Sequence, residues 1–248
     1  MKNLRFSFLG IGLLLFISCS AQNSGQFGQL IKKAGTALIS PSSGEMSSAL
    51  KEALEIGVSA GTGRLSAEKG FFNNLAVKIL FPPEAQKAEK TLRSLGFNSL
   101  ADQVILTLNQ AAEDAAKEAK PIFVSAIKQM TIADASKIVL GKEQDAATQY
   151  FMRVSTAELR SEFQPIVQAS LTKVGATRYW GDVMTRYNKI PLVTPINPDL
   201  EAYVTQKAID GLFHEVALEE LKIRQNTAAR TSELLKKVFG YADKNSAK

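Results

Sequence analysis

Four ionisable side chains near the C-terminal end of the chain are its best candidates for chemistry. Asp210 and His214 are four residues apart, and so are Glu215 and Glu219. Residues four apart share one face of a helix, so an Asp–His hydrogen bond or a pair of carboxylates could form there. Carboxylates serve as general acids and bases and also bind hard cations. This polar cluster is therefore where a reaction would be expected if the protein catalysed one.

A structural role is the simpler interpretation of the same cluster. His214 is the only histidine, which excludes metal and hydrolase sites that need two imidazoles. A buried carboxylate needs a partner because an isolated buried charge is costly. Five arginines are candidate partners for Glu215 and Glu219: Arg153, Arg160, Arg178, Arg186 and Arg230. We therefore predict structural pairing, with a surface i,i+4 pair between Glu220 and Arg224, and assign no catalytic residue, metal site or cofactor.

The N-terminal residues 1–18 have the pattern of a bacterial export signal. Lys2 and Arg5 precede an apolar run that ends at Cys19, which is the only cysteine of the chain. A short basic and apolar leader of this kind is typical of a cleaved signal peptide, and FISC resembles a lipoprotein processing site. We predict cleavage before Cys19, acylation of its thiol and a flexible tether over residues 19–26. A plain signal peptide cut near Ala21 is the alternative.

Export determines which partners are expected. The formal net charge is +6, and removal of Lys2 and Arg5 with the signal leaves about +4. Because the basic residues are scattered and no nucleic-acid motif is present, nucleic acid is not an expected partner. Ser20 is not the acidic residue that retains lipoproteins at the inner membrane. The expected location is therefore the outer membrane, facing the periplasm.

The segment from Pro198 to Arg224 predicts a long central helix. Asn197 can cap its first turn, and Pro198 suits that turn because no N–H donor is needed there. Apolar residues surround most of the segment at 100° per residue, which indicates burial by neighbours on several sides. The fold class predicted is all-α, a single compact multi-helix domain over residues 27–240, with short helices around this central C-terminal helix and a frayed tail at 241–248.

Cap and breaker residues predict that the other helices are short. Gly61 to Leu65 (GTGRL) reads as a helix terminator, and Pro165 as a kink or a new start. Val77 to Phe81 reads as a brief extended segment without an evident partner. Helix starts are predicted at capping signals in four places: Ser99 with Asp102, Thr131 with Asp134, Asp145, and Ser155 with Glu158.

Several ordered blocks of the sequence resemble one bacterial family. They are MTIADASKIVLGKEQDAATQYF (Met130 to Phe151), FQPIV (Phe163 to Val167), YNKIP (Tyr187 to Pro191), DLEAYVTQKAIDGLF (Asp199 to Phe213) and IRQNTAARTSELLKKVFG (Ile223 to Gly240). They look like the bacterial domain-of-unknown-function family 4197. The resemblance implies an exported helical protein of unestablished function, and it supplies no catalytic residues.

Two function classes follow from these observations. The first is a membrane-anchored envelope lipoprotein that acts as a non-catalytic binding or scaffolding module for another envelope protein or an apolar ligand. The alternative is an envelope enzyme that uses acidic residues of the central helix. Catalysis predicts at least two convergent titratable groups in an accessible concave site, whereas a module predicts that these acids are neutralised by arginines.

Overall fold

The computed structural model describes residues 40–173, 175–193, 195 and 199–246. Within them the chain forms nine α-helices, two short 3₁₀ helices (Pro83–Ala85 and Thr227–Ala229) and no strand. The α-helices are α1 Ser43–Ser66, α2 Gln86–Ser94, α3 Asn98–Ala116, α4 Ala119–Gln129, α5 Ile132–Leu140, α6 Ala146–Lys173, α7 Ala176–Asn188, α8 Leu200–Gln225 and α9 Glu233–Ser246. The all-α prediction is confirmed. The signal peptide, Cys19 and the tether lie outside the described residues.

Helix α8 is the central element, as predicted. It packs against α1, α3 and α6, and its buried residues point in several directions around the helix. The helix begins at Leu200 because the Asp199 carboxylate accepts the Ala202 N–H at 3.1 Å. The start signalled by Asn197 and Pro198 is therefore two residues too early, and both of those residues lie outside the described part of the chain.

Helix α1 continues through the glycines that were expected to end it. A Cβ atom added to Gly57 would lie 3.0 Å from Glu219 Cβ, and one added to Gly61 would lie 3.2 Å from Glu215 Cβ. These two glycines therefore allow α1 to approach α8 closely. Glycine in a helix interior costs up to about 1 kcal/mol relative to alanine, and the packing of α1 onto α8 offsets that cost. The predicted terminator at Gly61 is wrong for this reason.

Helix α6 is one long helix rather than two short ones. Ser155 lies inside it, fully buried, and donates its hydroxyl to the Phe151 carbonyl at 2.7 Å instead of capping a new start. Pro165 also lies within the helix. Phe151, Leu159 and Phe163 are completely buried along its inner side, so packing overrides these local stop signals.

The capping predictions at Thr131 and Ser99 have opposite outcomes. Thr131 and Asp134 form the predicted capping box at the start of α5, and Gly141 ends that helix. Ser99 does not cap α3, which begins one residue earlier at Asn98. Asp102 instead forms an ion pair with Arg93 at 2.8 Å.

The irregular segment between α1 and α2 is held by two buried polar side chains of α3. The Glu113 carboxylate accepts the backbone N–H groups of Lys69, Phe71 and Phe72 at 3.1–3.3 Å. Burial raises the pKa of Glu113, against the lowering effect of these three N–H donors. The carboxyl group of one side chain thus accepts hydrogen bonds from three backbone N–H groups of the loop, which have no partner in a helix or sheet.

Asn109 binds the backbone of Ile79, within the segment from Val77 to Phe81 that was predicted to be extended. Its Oδ1 accepts the Ile79 N–H at 2.9 Å, and its Nδ2 donates to the Ile79 carbonyl at 2.8 Å. One amide side chain therefore makes the pair of bonds that a neighbouring strand would make. Val77 still belongs to a hydrogen-bonded turn that begins at Asn74, and Lys78 to Leu80 are in neither a helix nor a strand. A helix side chain rather than a second strand pairs with Ile79.

The C-terminal helix α9 extends to Ser246, so the predicted frayed tail is wrong over residues 241–246. Ala242 is only 6% exposed, and the carboxylate of Asp243 pairs with Arg230 Nη1 at 2.7 Å. Arg230 is itself buried and donates to the Ile223 and Arg224 carbonyls at the end of α8. This arginine joins the end of the central helix to the last turns of α9.

No helix in the described part of the chain has both the length and the apolar composition needed to cross a membrane.

The burial of α8 predicts how the fold responds to a new charge. Leu212 and Phe213 are 0% and 4% exposed, so Leu212→Asp and Phe213→Asp should each lower the free energy of unfolding by about 4 kcal/mol or more. Leu218, on the same helix, is 45% exposed, and Leu218→Asp serves as the matched control with little expected effect. Thermal unfolding followed by circular dichroism measures all three. Melting of the first two variants at the wild-type temperature would place this part of α8 at the surface.

Candidate functional site

Glu215 and Glu219 lie at the interface between α8 and α1, where they share one arginine. They are 2% and 7% exposed. Nη2 of Arg64 lies 2.6 Å from Glu215 Oε2 and 2.8 Å from Glu219 Oε1. Nε of Arg64 also donates to Glu215 Oε2, so the guanidinium binds that oxygen with two N–H groups. The predicted pairing with an arginine is confirmed.

The other two carboxylate oxygens of this pair are also bound. Asn74 Nδ2 donates to Glu215 Oε1 at 2.9 Å, and Lys222 Nζ lies 3.5 Å from Glu219 Oε2. Two negative charges therefore meet two positive charges and one amide. Burial lowers the pKa of Arg64, but its bonds to Glu215 and then Glu219 outweigh that effect and raise it. All four oxygens are therefore engaged: one of each glutamate binds Arg64 of α1, and the other two meet the loop residue Asn74 and Lys222 of α8 itself.

The arginine partner was wrongly predicted. Arg64 is none of the five candidates taken from the sequence, and it stands within the segment that was expected to end α1. Because α1 continues to Ser66, Arg64 lies one turn beyond Gly61 on the side that faces α8. The missing signal was the spacing of Gly57, Gly61 and Arg64, which places small residues and a cation along one stripe of the helix.

Glu220 and Arg224 form the expected i,i+4 pair, but they are buried rather than at the surface. Their side chains are 4% and 8% exposed, and Arg224 Nη2 lies 2.8 Å from Glu220 Oε1. Arg224 also donates to the Ile138 carbonyl near the end of α5 at 3.0 Å. Removing one partner of a buried pair costs more than removing one partner of an exposed pair, because an uncompensated charge is left in the interior.

The carboxylate of Glu220 caps helix α6 from another helix. It accepts the N–H groups of Ala147 and Thr148 at 3.0 and 2.9 Å, and the Thr148 hydroxyl at 2.9 Å. Asp145, the residue predicted to cap this helix, instead accepts from the Gln149 side chain. The first-turn amides of α6 are thus satisfied by a charge that lies 72 or more residues away in sequence.

Asp210 and His214 lie apart from the glutamates, in an exposed groove on the other side of α8. The groove has a volume of about 450 Å³ and also exposes Lys78, Tyr203 and Lys207. The Asp210 carboxylate accepts from Gln206 at 2.8 Å and lies 3.7 Å from Lys207 Nζ. These contacts replace the predicted hydrogen bond to His214. The four predicted site residues therefore form two separate pairs, one buried and one exposed.

The segment from Val77 to Phe81 forms one wall of this groove. Leu80 is 49% exposed there, and its carbonyl accepts the Tyr203 hydroxyl at 3.2 Å. Burial raises the pKa of Tyr203, and the nearby Glu84 adds to the effect. Gly211 lies at the floor, where an added Cβ would come within 2.6 Å of the buried Phe71 ring. The groove is therefore built on an element whose position the core fixes.

Helix α1 contains a nucleophile pattern that sequence reasoning missed. Gly57 to Gly61 reads GVSAG, which matches the GxSxG pattern of α/β-hydrolases. That motif functions at a sharp strand-to-helix turn, whereas Ser59 is exposed in the interior of a helix. The two glycines are explained by the close approach to α8, so the match carries no catalytic assignment.

Metal ligation finds no support within the described residues, where no group of three histidine, cysteine, aspartate or glutamate side chains could hold an ion.

Comparison with known proteins gives a family but no function. The model of a family described as a protein of unknown function, DUF4197, matches residues 40–240. No curated protein and no solved structure matches the chain. The matched range includes every helix that contributes to the ion pairs and to the groove, apart from the last residues of α9.

Proposed function

We propose that this chain, which belongs to the DUF4197 family, is a non-catalytic binding or scaffolding module of the bacterial envelope, held on a membrane by lipid at Cys19. The observation that carries the proposal is the pairing of the acidic residues of α8. Glu215 and Glu219 have all four oxygens bound, and Glu220 is engaged by Arg224 and by two amides of α6.

Those contacts bear directly on the enzyme alternative. A general acid or base must change its protonation state and reach a substrate. Protonation of Glu215 would break its bonds to Arg64 and leave a cation at the helix interface. The carboxylates named for catalysis are thus committed to stabilising the fold, and the enzyme alternative is left with Asp210 and His214 in the groove.

The exposed groove has room for a binding partner, whereas the interior cavity does not. The seam between α1, α8 and α9 is lined by apolar residues such as Leu54, Val216 and Phe239, but its cavity measures about 10 Å³. A cavity must exceed about 10–15 Å³ to hold one water molecule, so an apolar ligand has no room there. We therefore assign partner binding to the exposed groove, where Leu80 offers an apolar contact among polar side chains.

The membrane anchor rests on the sequence of residues 1–19. The leader is basic and then apolar, and the single cysteine of the chain follows it directly. Several acyl chains on one residue hold a protein stably at a membrane surface, whereas one chain alone binds only weakly. The groove would then face partners in the periplasm, with residues 20–39 between Cys19 and the described domain.

Metabolic labelling tests the anchor. The wild-type chain expressed in a Gram-negative bacterium should incorporate an alkyne-tagged fatty acid and fractionate with the outer membrane. The Cys19→Ala chain should incorporate none, because the acylated thiol is absent. Equal labelling of the two proteins, or labelling of neither, would contradict the lipoprotein assignment.

Crosslinking in intact cells tests the module. A photoreactive residue at Gln86, which lines the groove, should capture a reproducible envelope protein. Leu80→Asp should abolish that capture because it puts a charge at the apolar contact. Leu95→Asp is the matched control, since Leu95 is 57% exposed and lies outside the groove. Capture that survives Leu80→Asp, or that is lost equally with Leu95→Asp, would remove the groove as the binding surface, and no capture would contradict the module.

A further inference from the structure

A second groove, separate from the groove at Leu80, lies between α5 and the first turns of α6. It has a volume of about 300 Å³, and Lys137, Lys142 and Arg153 line it together with Tyr150. The three cations come from α5, from the connection between the helices and from α6. Three successive elements of the chain thus bring positive charges to one concavity.

The charges of these three residues are not used elsewhere. Within the described part of the chain, Lys137, Lys142 and Arg153 form no ion pair, whereas Arg64, Arg224 and Arg230 each do. All three side chains are exposed to solvent at the groove. Their N–H donors are available to an incoming ligand without the loss of an existing pair.

The two acidic residues of the groove, Asp134 and Glu143, offset only part of these positive charges. Asp134 accepts both the N–H and the hydroxyl of Thr131, and that bond is the largest cause of its lowered pKa, with smaller contributions from Arg153 and Lys137. Glu143 is exposed on the connection. Three cations against these two acids leave the lining with one net positive charge.

Tyr150 gives the groove a fixed wall and a neutral donor. It is 7% exposed, its ring contacts Phe151 with centroids 5.9 Å apart, and the Arg153 guanidinium carbon lies 5.3 Å from its ring centroid. Burial raises the pKa of its phenol, so the hydroxyl keeps its proton at neutral pH. Stacking on the ring orients the guanidinium, which reduces the entropy lost when it binds an anion.

The turn that carries Tyr150 is itself held in place. Glu220 binds the amides of Ala147 and Thr148 one turn earlier, and Arg224 binds the Ile138 carbonyl on the opposite side of the groove. The buried pair of the central helix thus supports both walls. Binding sites on rigid, packed elements keep their geometry better than sites on free loops.

We propose that this groove binds a phosphate monoester group. A guanidinium supplies paired N–H donors to two phosphate oxygens, and two ammonium groups with one phenol hydroxyl supply donors for the rest. The groove has room for a phosphate and a small polar substituent. The phosphate group could belong to a soluble compound or to a lipid headgroup, since both present the same dianionic oxygens.

The test uses the full chain in phosphatidylcholine nanodiscs, with arginine side chains labelled with ¹⁵N. In one arm inorganic phosphate is titrated in; in the other, part of the phosphatidylcholine is replaced by phosphatidic acid. The readout is the Nε–Hε resonance of Arg153, assigned by its loss in Arg153→Met. A saturable shift is expected in the first arm for a soluble ligand, or in the second arm alone for a lipid headgroup.

The control is present in the same spectrum. Arg178 lies over the Tyr179 ring with its guanidinium carbon 4.9 Å from the centroid, so it is an arginine–tyrosine stack outside the groove. Its resonance should not move. Lys137→Met should weaken the affinity by roughly tenfold, since one charge-assisted bond accounts for at least that factor. Lys189→Met, at the exposed lysine that follows the last residue of α7, should leave the affinity unchanged.

The proposal fails if Arg153 shows no saturable shift in either arm, or if Arg178 shifts in parallel. It also fails if Lys137→Met and Lys189→Met change the affinity equally, since binding would then reflect net charge alone. The inorganic phosphate arm does not depend on the acylation of Cys19, and neither arm depends on the protein partner at Leu80. Failure of this site is therefore distinguishable from failure of the proposed module.

Discussion

The need to pair buried carboxylates organises this fold. Helix α8 buries three acidic residues on its inner side, Glu215, Glu219 and Glu220. A buried charge is tolerated only when an opposite charge or several donors meet it. Those donors come from α1 through Arg64 and from α6 through the Ala147 amide and its neighbour. The acids of one helix therefore set the positions of two others.

Close packing and ion pairing depend on each other at this interface. Arg64 reaches Glu215 because Gly57 and Gly61 let the backbone of α1 approach α8. Without the ion pair, the two glycines would only weaken α1, because glycine destabilises a helix interior. Without the glycines, Arg64 and Glu215 would lie too far apart to pair, and a buried charge would be left unpaired. The functional consequence is a division of the polar groups. Those at the interface stabilise the fold, and those in the two grooves remain available to partners.

Local signals in the sequence predicted the elements better than they predicted the partners. The central helix, the Thr131 capping box and the all-α class follow from periodicity and side-chain chemistry within a few residues. The continuation of α1 through Gly61 and of α6 past Ser155 depends on packing against residues far away in sequence. Sequence reasoning also predicted arginine pairing but chose the wrong arginine, because the register between two helices is a tertiary property.

The separation of the four candidate residues has the same origin. Asp210 and Glu215 are only five positions apart, yet one lies in a solvent-exposed groove and the other is 2% exposed. Helical periodicity places them on different faces, but which face is covered depends on where α1 docks. The sequence shows that Asp210 and Glu215 lie on different faces of the helix. Only the tertiary structure shows which of the two is buried in an ion pair.

A double-mutant cycle between Arg64 and Glu215 tests the central claim most directly. The free energy of unfolding in urea is measured for the wild type, Arg64→Met, Glu215→Gln and the double variant. Structural pairing predicts that both single variants are destabilised and that the coupling energy is about 1–2 kcal/mol, discounted because half of the Arg64 side chain is exposed. A coupling within about 0.3 kcal/mol of zero, with both single variants as stable as the wild type, would contradict the account.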